Sequence, residues 1–396
     1  MKSALLLLAV ASAVAIAQAP VHQDDVALYE KHDWFTLRDR ITAGTAKDSL
    51  AIGATAVAFG DEAKARAHLQ PLLAGKQAAE AHGWLSYMDL RKGHYRAAAA
   101  HIAATDPSNP NPLAETFRTL PDQITAAMAP ATIRYRIFQH KLFVPAAVND
   151  KPAELIVDTD ANLSFLSETA AKEMGLTVSD SAATTARALG AGSRLRITTA
   201  DVRIGKAHLR NVAFMVLPDD ASLFATLAPR QQGALGLPVL LGLEQVSWDR
   251  DGNFWIGVGH DPARPSSPLG YDGADPIVRF SHEHMALTGV FDTGAETTDL
   301  WPPFAKSFAV LLEEKGAPGM KQVRGFGGNG QIPEVVVPEI SLELGGMTVR
   351  AAPAHVLTVK TTANSDWLAG RMGLDLLRQA ERVTIDFRAN RLQLTE

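Results

Sequence analysis

The feature that most constrains this chain is a duplication within its C-terminal two thirds. Leu155-Ile156-Val157-Asp158-Thr159-Asp160-Ala161 recurs as Gly289-Val290-Phe291-Asp292-Thr293-Gly294-Ala295, an offset of 134. Further on, Gly236–Asn253 recurs as Gly373–Asn390 at an offset of 137. Gly236/Gly373, Leu237/Leu374, Leu240/Leu377, Glu244/Glu381, Val246/Val383, Asp249/Asp386 and Asn253/Asn390 are identical in the two copies. Glycine turns at Gly190 and Gly325 fall between the anchors at an offset of 135. Ordered anchors at near-constant spacing predict two related lobes, residues 132–259 and 275–396, divided by the proline-rich His260–Pro268. Short apolar runs punctuated by Gly, Pro, Asn and Asp predict that both are mostly antiparallel β.

Each copy ends an apolar strand in an aspartate followed by threonine and a turn. A carboxylate there is costly unless it is hydrogen-bonded or shares a proton. If the two loops meet across a pseudo-twofold axis, the carboxylates repel by about 4 kcal/mol at ~4 Å and an effective dielectric near 20. One proton is then shared, which supplies a general base and a general acid in one site. That pair suits attack of an activated water on an amide carbonyl, without a covalent intermediate.

From Arg134 onward the chain resembles the pepsin/retropepsin-like aspartic proteases, most closely bacterial exported forms with a retroviral-type Asp-Thr-Gly-Ala motif. The matching residues are Asp158-Thr159-Asp160-Ala161 and Asp292-Thr293-Gly294-Ala295, with Ala234-Leu235-Gly236 and Arg371-Met372-Gly373 as the hydrophobic-Gly motif of each half. The resemblance implies a hydrolase of the aspartic endopeptidase type, with Asp158 and Asp292 catalytic and Thr159, Asp160, Thr293 and Gly294 supporting the loops. It implies that Asn162 and Glu296 face substrate backbone, and that turns containing Gly190, Gly192, Gly327 and Gly328 form flap tips. No cofactor or metal is implied, and the expected partner is a peptide or protein substrate. With both aspartates in one chain, a monomer is expected. Asp160 departs from the family's glycine. Aspartate tolerates left-handed backbone angles, so the turn can still form, while a third carboxylate raises the pKa values of the pair. The expected working range is accordingly less acidic than a pepsin's. The alternative is a catalytically weak or inactive protease-like module that binds extended peptide by strand addition.

Ahead of the lobes, residues 18–112 predict α-helical hairpins of tetratricopeptide-like type. Val57–Ala67 and Asp89–Ala100 repeat with Gly60 and Gly93 33 residues apart, and Lys31–Asp39 is a partial copy. A small bundle using glycine at helix junctions accounts for the same pattern. This region is a candidate surface for a protein partner, or a pro-segment. Residues 1–17 read as a signal peptide: one lysine, an apolar run from Ala4 to Ala17, and Ala15-Ile16-Ala17 as cleavage signature. The run is short of the ~20 residues of a membrane span, so the chain is expected to be exported, periplasmic or secreted, with no membrane attachment after cleavage.

The remaining signals are weaker. There are 38 basic and 43 acidic residues, a net charge of −5, which argues against nucleic acid as partner. Cysteine is absent, which excludes disulfides, thiol nucleophiles and thiolate zinc sites. Gly325-Phe-Gly327-Gly-Asn-Gly330 satisfies a dinucleotide fingerprint, but a strand-like run follows it where a helix is required. His282-Glu-His284 aligns with the turn at Asn149 and is expected to sit exposed there, rather than to bind metal.

Overall fold

The computed structural model describes residues 25–184, 194–325 and 328–396. The expected signal peptide and the turn holding Gly190 and Gly192 lie outside them, as does Gly327. The described chain is an N-terminal helical region followed by β-rich sheets, a mixed α and β architecture.

The helices pair as short hairpins: Asp25–Glu30 with Trp34–Thr42, Ser49–Ala58 with Glu62–Leu69, and Ala78–Arg91 with Tyr95–Thr105. Aspartate caps start three of them, with Asp33, Asp48 and Asp61 each accepting a backbone N–H of the first turn. Gly60 and Gly93 follow the helix ends at φ 74° and 72°, and His32 holds the equivalent junction at φ 54°. A last helix, Pro112–Arg118, continues past the proline-rich linker.

Among the described residues the strands form two sheets, of nine and fifteen strands. The duplication is carried strand by strand. Lys141–Val148 and Lys151–Val157 form a hairpin that recurs as Asp275–His282 and Met285–Phe291, each at the 134 offset. Its turn residues, Asn149 and Asp150, have positive φ, as do Glu283 and His284. Gln245–Asp249 and its copy Arg382–Asp386 pair antiparallel with Ser247 opposite Thr384, the one position where a residue meets its own counterpart. The pseudo-twofold axis therefore passes between these two hydroxyls, which lie 2.9 Å apart.

The helical region is packed into both halves. Leu28, Trp34 and Trp84 share a core with Ile277, Val290 and Trp301 of the second half. Tyr95 and Phe117 share another with Leu163, Ile197 and Ala213 of the first. Arg91 is buried, donates to the Gly273 and Val57 carbonyls at 2.8 and 2.6 Å, and stands 4.1 Å over the Tyr271 ring. Among the described residues no helix is long and apolar enough to cross a membrane.

The two junction glycines make different demands. A methyl at Gly60 meets open space, whereas one at Gly93 would lie 2.4 Å from Gln123 Cβ. Gly60→Ala is expected to cost about 1 kcal/mol of left-handed strain, and Gly93→Ala distinctly more. Urea unfolding of both variants checks this; equal losses would contradict the packing role of Gly93.

Candidate active site

Each aspartate is delivered by an interior strand. Lys151–Val157 runs parallel to Gly233–Leu235, and Met285–Phe291 runs parallel to Gly370–Met372. Asp158 N–H donates to the Leu235 carbonyl at 3.1 Å and Asp292 N–H to the Met372 carbonyl at 3.0 Å. Across each turn, Leu237 N–H reaches the Ala161 carbonyl at 2.8 Å and Leu374 N–H the Ala295 carbonyl at 3.0 Å. The Ser164 and Thr298 hydroxyls accept from Gly236 and Gly373 N–H at 3.0 and 3.1 Å. A methyl on Gly236 would lie 2.6 Å from the Ala161 carbonyl oxygen, so the hydrophobic-Gly motif is a close approach beneath the aspartate loop.

The two loops are tied to each other. Thr159 Oγ1 donates to the Phe291 carbonyl at 2.6 Å and accepts Thr293 N–H at 3.0 Å. Thr293 Oγ1 donates to the Val157 carbonyl at 2.8 Å and accepts Thr159 N–H at 3.1 Å. Both threonines are fully buried. At about 1 kcal/mol per bond, four reciprocal bonds hold the loops as one unit.

The carboxyls lie within this unit. Asp158 Oδ1 accepts the N–H groups of Asp160 and Ala161, each at 3.1 Å, and Asp292 Oδ1 accepts Ala295 N–H at 2.9 Å. Gly294 lies so close that a methyl there would be 2.4 Å from Asp158 Cγ. Burial first, and the charge of Asp292 second, push Asp158 up to about 7, against the pull of Lys141 and the two N–H groups. Lys141 also donates from its ammonium to the Gly294 carbonyl, bridging one lobe to the loop of the other.

Asp160 is accommodated differently from the sequence expectation. Neither Asp160 nor Gly294 has a positive φ, so left-handed tolerance is not what admits the aspartate. Its burial and the charges around it define its setting instead. Burial, then Asp292, Asp275 and Asp158, hold the Asp160 carboxyl well above its ordinary value, with Arg371 opposing. Arg371 stands where the first half has Ala234; its guanidinium is 2.8 Å from Asp299 and 3.7 Å from Asp292. Burial would lower the Arg371 pKa, but Asp292, Asp299 and Asp160 together raise it. The unusual aspartate in one half thus faces an unusual arginine in the other.

Asn162 and Glu296 follow the two aspartate loops directly. Both are exposed, and Glu296 lies 3.4 Å from His140 Nε2. Gly328 opens the strand Gly328–Val337, opposite Gly325 in an antiparallel hairpin with Ala317–Gly325. The glycine-rich run there is a hairpin and not a nucleotide loop. His284 is at a turn, but His282 is buried, not exposed: its Nδ1 lies 2.8 Å from the Ser341 carbonyl and its ring packs 4.7 Å from Phe308. Among the described residues no group of His, Cys, Asp or Glu is placed to hold a metal ion.

Sequence reasoning missed Lys141, Asp275 and Arg371. The signal was present in the duplication, where Lys141 aligns with Asp275 and Ala234 with Arg371. Opposite or unequal charge at twinned positions marks where the halves have diverged.

The sequence profile of a family described as Aspartyl protease matches residues 144–239, the stretch that carries Asp158 and its supporting strands. The second loop, with Asp292, lies beyond that match. Among curated proteins, none matches the chain. This portion is therefore an aspartic-protease-like domain.

Because the folded protein holds the Asp160 proton more tightly than the unfolded chain, that group stabilises fully below its ordinary 3.8. Its contribution is lost as pH rises through the folded value. Asp160→Gly removes this dependence, so the variant is expected to gain stability relative to the parent as pH is raised from about 4 to about 8. Thermal melts across that range check the sign, and parallel curves would contradict it.

Proposed function

We propose that this chain is an aspartic endopeptidase that hydrolyses an extended peptide with a water held between Asp158 and Asp292. The observation that carries the reading is the reciprocal threonine cross-bond, which joins two aspartate loops related by the pseudo-twofold axis. The match of residues 144–239 to an aspartyl protease family supports it.

In this reading Asp158, pushed up to about 7, holds the proton of the pair. Asp292 takes a proton from water as the water oxygen attacks the scissile carbonyl carbon. Asp158 donates its proton to the carbonyl oxygen, giving a neutral gem-diol. Collapse returns a proton from a diol hydroxyl and delivers another to the departing amine, so water is consumed and no bond to the enzyme forms. The hairpin of Ala317–Gly325 and Gly328–Val337 serves as a flap in this reading. Export, a monomeric enzyme, and a partner-binding or pro-segment role for the helical region belong to the same proposal.

Two measurements test it. Asp292→Asn keeps the shape of the side chain and is expected to abolish peptide cleavage while leaving the melting curve near that of the parent. A folded, fully active variant would exclude the mechanism. Lys141 holds Asp158 down, so Lys141→Met is expected to move the upper arm of the pH–rate profile to higher pH. An arm that stays in place would mean that Asp158 is not the proton donor.

A further inference from the structure

A cavity of about 690 Å³ opens between the helical region and the second lobe, and its wall reaches Asp160 and Asn162. That is within the size range of sites for small organic groups. Its apolar surface is aromatic: Tyr29, Trp84 and Tyr87 from the helices, Trp301 and Trp367 from the lobe. Four carboxyls share the lining, Glu80, Asp160, Asp272 and Asp275.

The lining holds two basic side chains, His32 and Arg371, each beside a carboxyl, and Arg371 Nε is buried without a hydrogen-bond partner among the described residues. Arg371 is 2.8 Å from Asp299 and 3.7 Å from Asp292. His32 Nδ1 is 2.7 Å from Asp272, and its ring stacks on Trp367 at 4.2 Å. Asp272 is further satisfied by the indole N–H groups of Trp34 and Trp367, at 3.0 and 2.6 Å. The other carboxyls are not so well served. Asp160 Oδ1 is buried with no hydrogen-bond partner among the described residues. Asp275 receives one bond, from Asn364 at 2.7 Å, and burial followed by the charge of Asp272 pushes it up to about 6. Carboxyls short of hydrogen-bond donors beside aromatic faces are surroundings that favour an organic cation.

We propose that this cavity is a substrate subsite for a lysine or arginine side chain next to the scissile bond, an inference that rests on the peptidase reading above. The ammonium or guanidinium stands against Asp275, Asp160 and Glu80, and the aliphatic stem lies along the aromatic walls. The position is one-sided. Across the pseudo-twofold axis Lys141 occupies the place of Asp275, so the mirror subsite repels the same side chain. The helical region supplies three of the five tyrosine and tryptophan side chains of the wall, which makes it part of the substrate site.

The test separates binding from cleavage. Nα-acetyl-lysine methylamide and its neutral norleucine analogue are titrated into the full chain, with tryptophan fluorescence as the readout. The lysine probe is expected to bind about tenfold more tightly. Asp275→Asn, or Glu80→Gln at an exposed position where folding is not at risk, is expected to erase most of that preference. Equal binding of the two probes, or a preference unchanged in both variants, overturns the subsite. In a peptide library, cleaved sequences are expected to carry lysine or arginine at one fixed position on one side of the bond. Cleavage without that bias also overturns it. If nothing is cleaved, the peptidase reading fails, and the binding comparison still decides what the cavity takes.

Discussion

The structure depends on one reciprocal contact, the exchange of hydrogen bonds between Thr159 and Thr293. Each hydroxyl donates to a carbonyl of the opposite strand and accepts the N–H of the opposite threonine. Fully buried, these groups have no water to fall back on, and losing one partner would leave the other at the full desolvation cost of about 1–3 kcal/mol. This contact is the direct tie between the Asp158 and Asp292 loops, reinforced by Lys141 donating to the Gly294 carbonyl. The parallel strands behind the aspartates and the glycines Gly236 and Gly373 beneath them fix each loop in its own lobe. The threonines fix the loops to each other.

Around that axis the molecule is symmetric in backbone and asymmetric in charge. The hairpins and their turns repeat at an offset of 134 and the supporting strands at 137, and the pairing of Ser247 with Thr384 shows where the axis runs. The side chains nearest the carboxyls do not repeat: Lys141 against Asp275, Ala234 against Arg371, Asp160 against Gly294. A symmetric pair would titrate as equals. Here a lysine adjoins one aspartate and an arginine the other, and the third carboxyl sits on the arginine's side. This division of charge supports the distinct acid and base roles, and the one-sided subsite, that we propose.

Much of this was legible in the sequence. Two Asp-Thr turns with matching glycine motifs announced the duplication, and the helix junctions were marked by Gly60 and Gly93. What was not legible depended on contacts between segments far apart in the chain. Asp160 was recognised as a third carboxylate near the pair, but the left-handed turn expected for it is absent, and its partners Asp275 and Arg371 lie far away in the sequence. His282 looked like half of an exposed turn, but the strand register turns it inward against Phe304 and Phe308. The helical region carried no catalytic cluster of its own, and only packing reveals that Trp84 and Tyr87 border the same cavity as Asp160.

The central claim is that Asp158 and Asp292 act on each other through loops held together by the threonines. A ¹³C titration of the Asp158 carboxyl by NMR, in the parent and in Asp292→Asn, tests this most directly. A midpoint near 7 is expected in the parent. In the variant a clear fall is expected that stops above the ordinary 3.8, since burial remains when the neighbouring charge is gone. A midpoint at the ordinary value in the parent, or one that does not move when Asp292 is replaced, would mean that the two carboxyls do not form a common site.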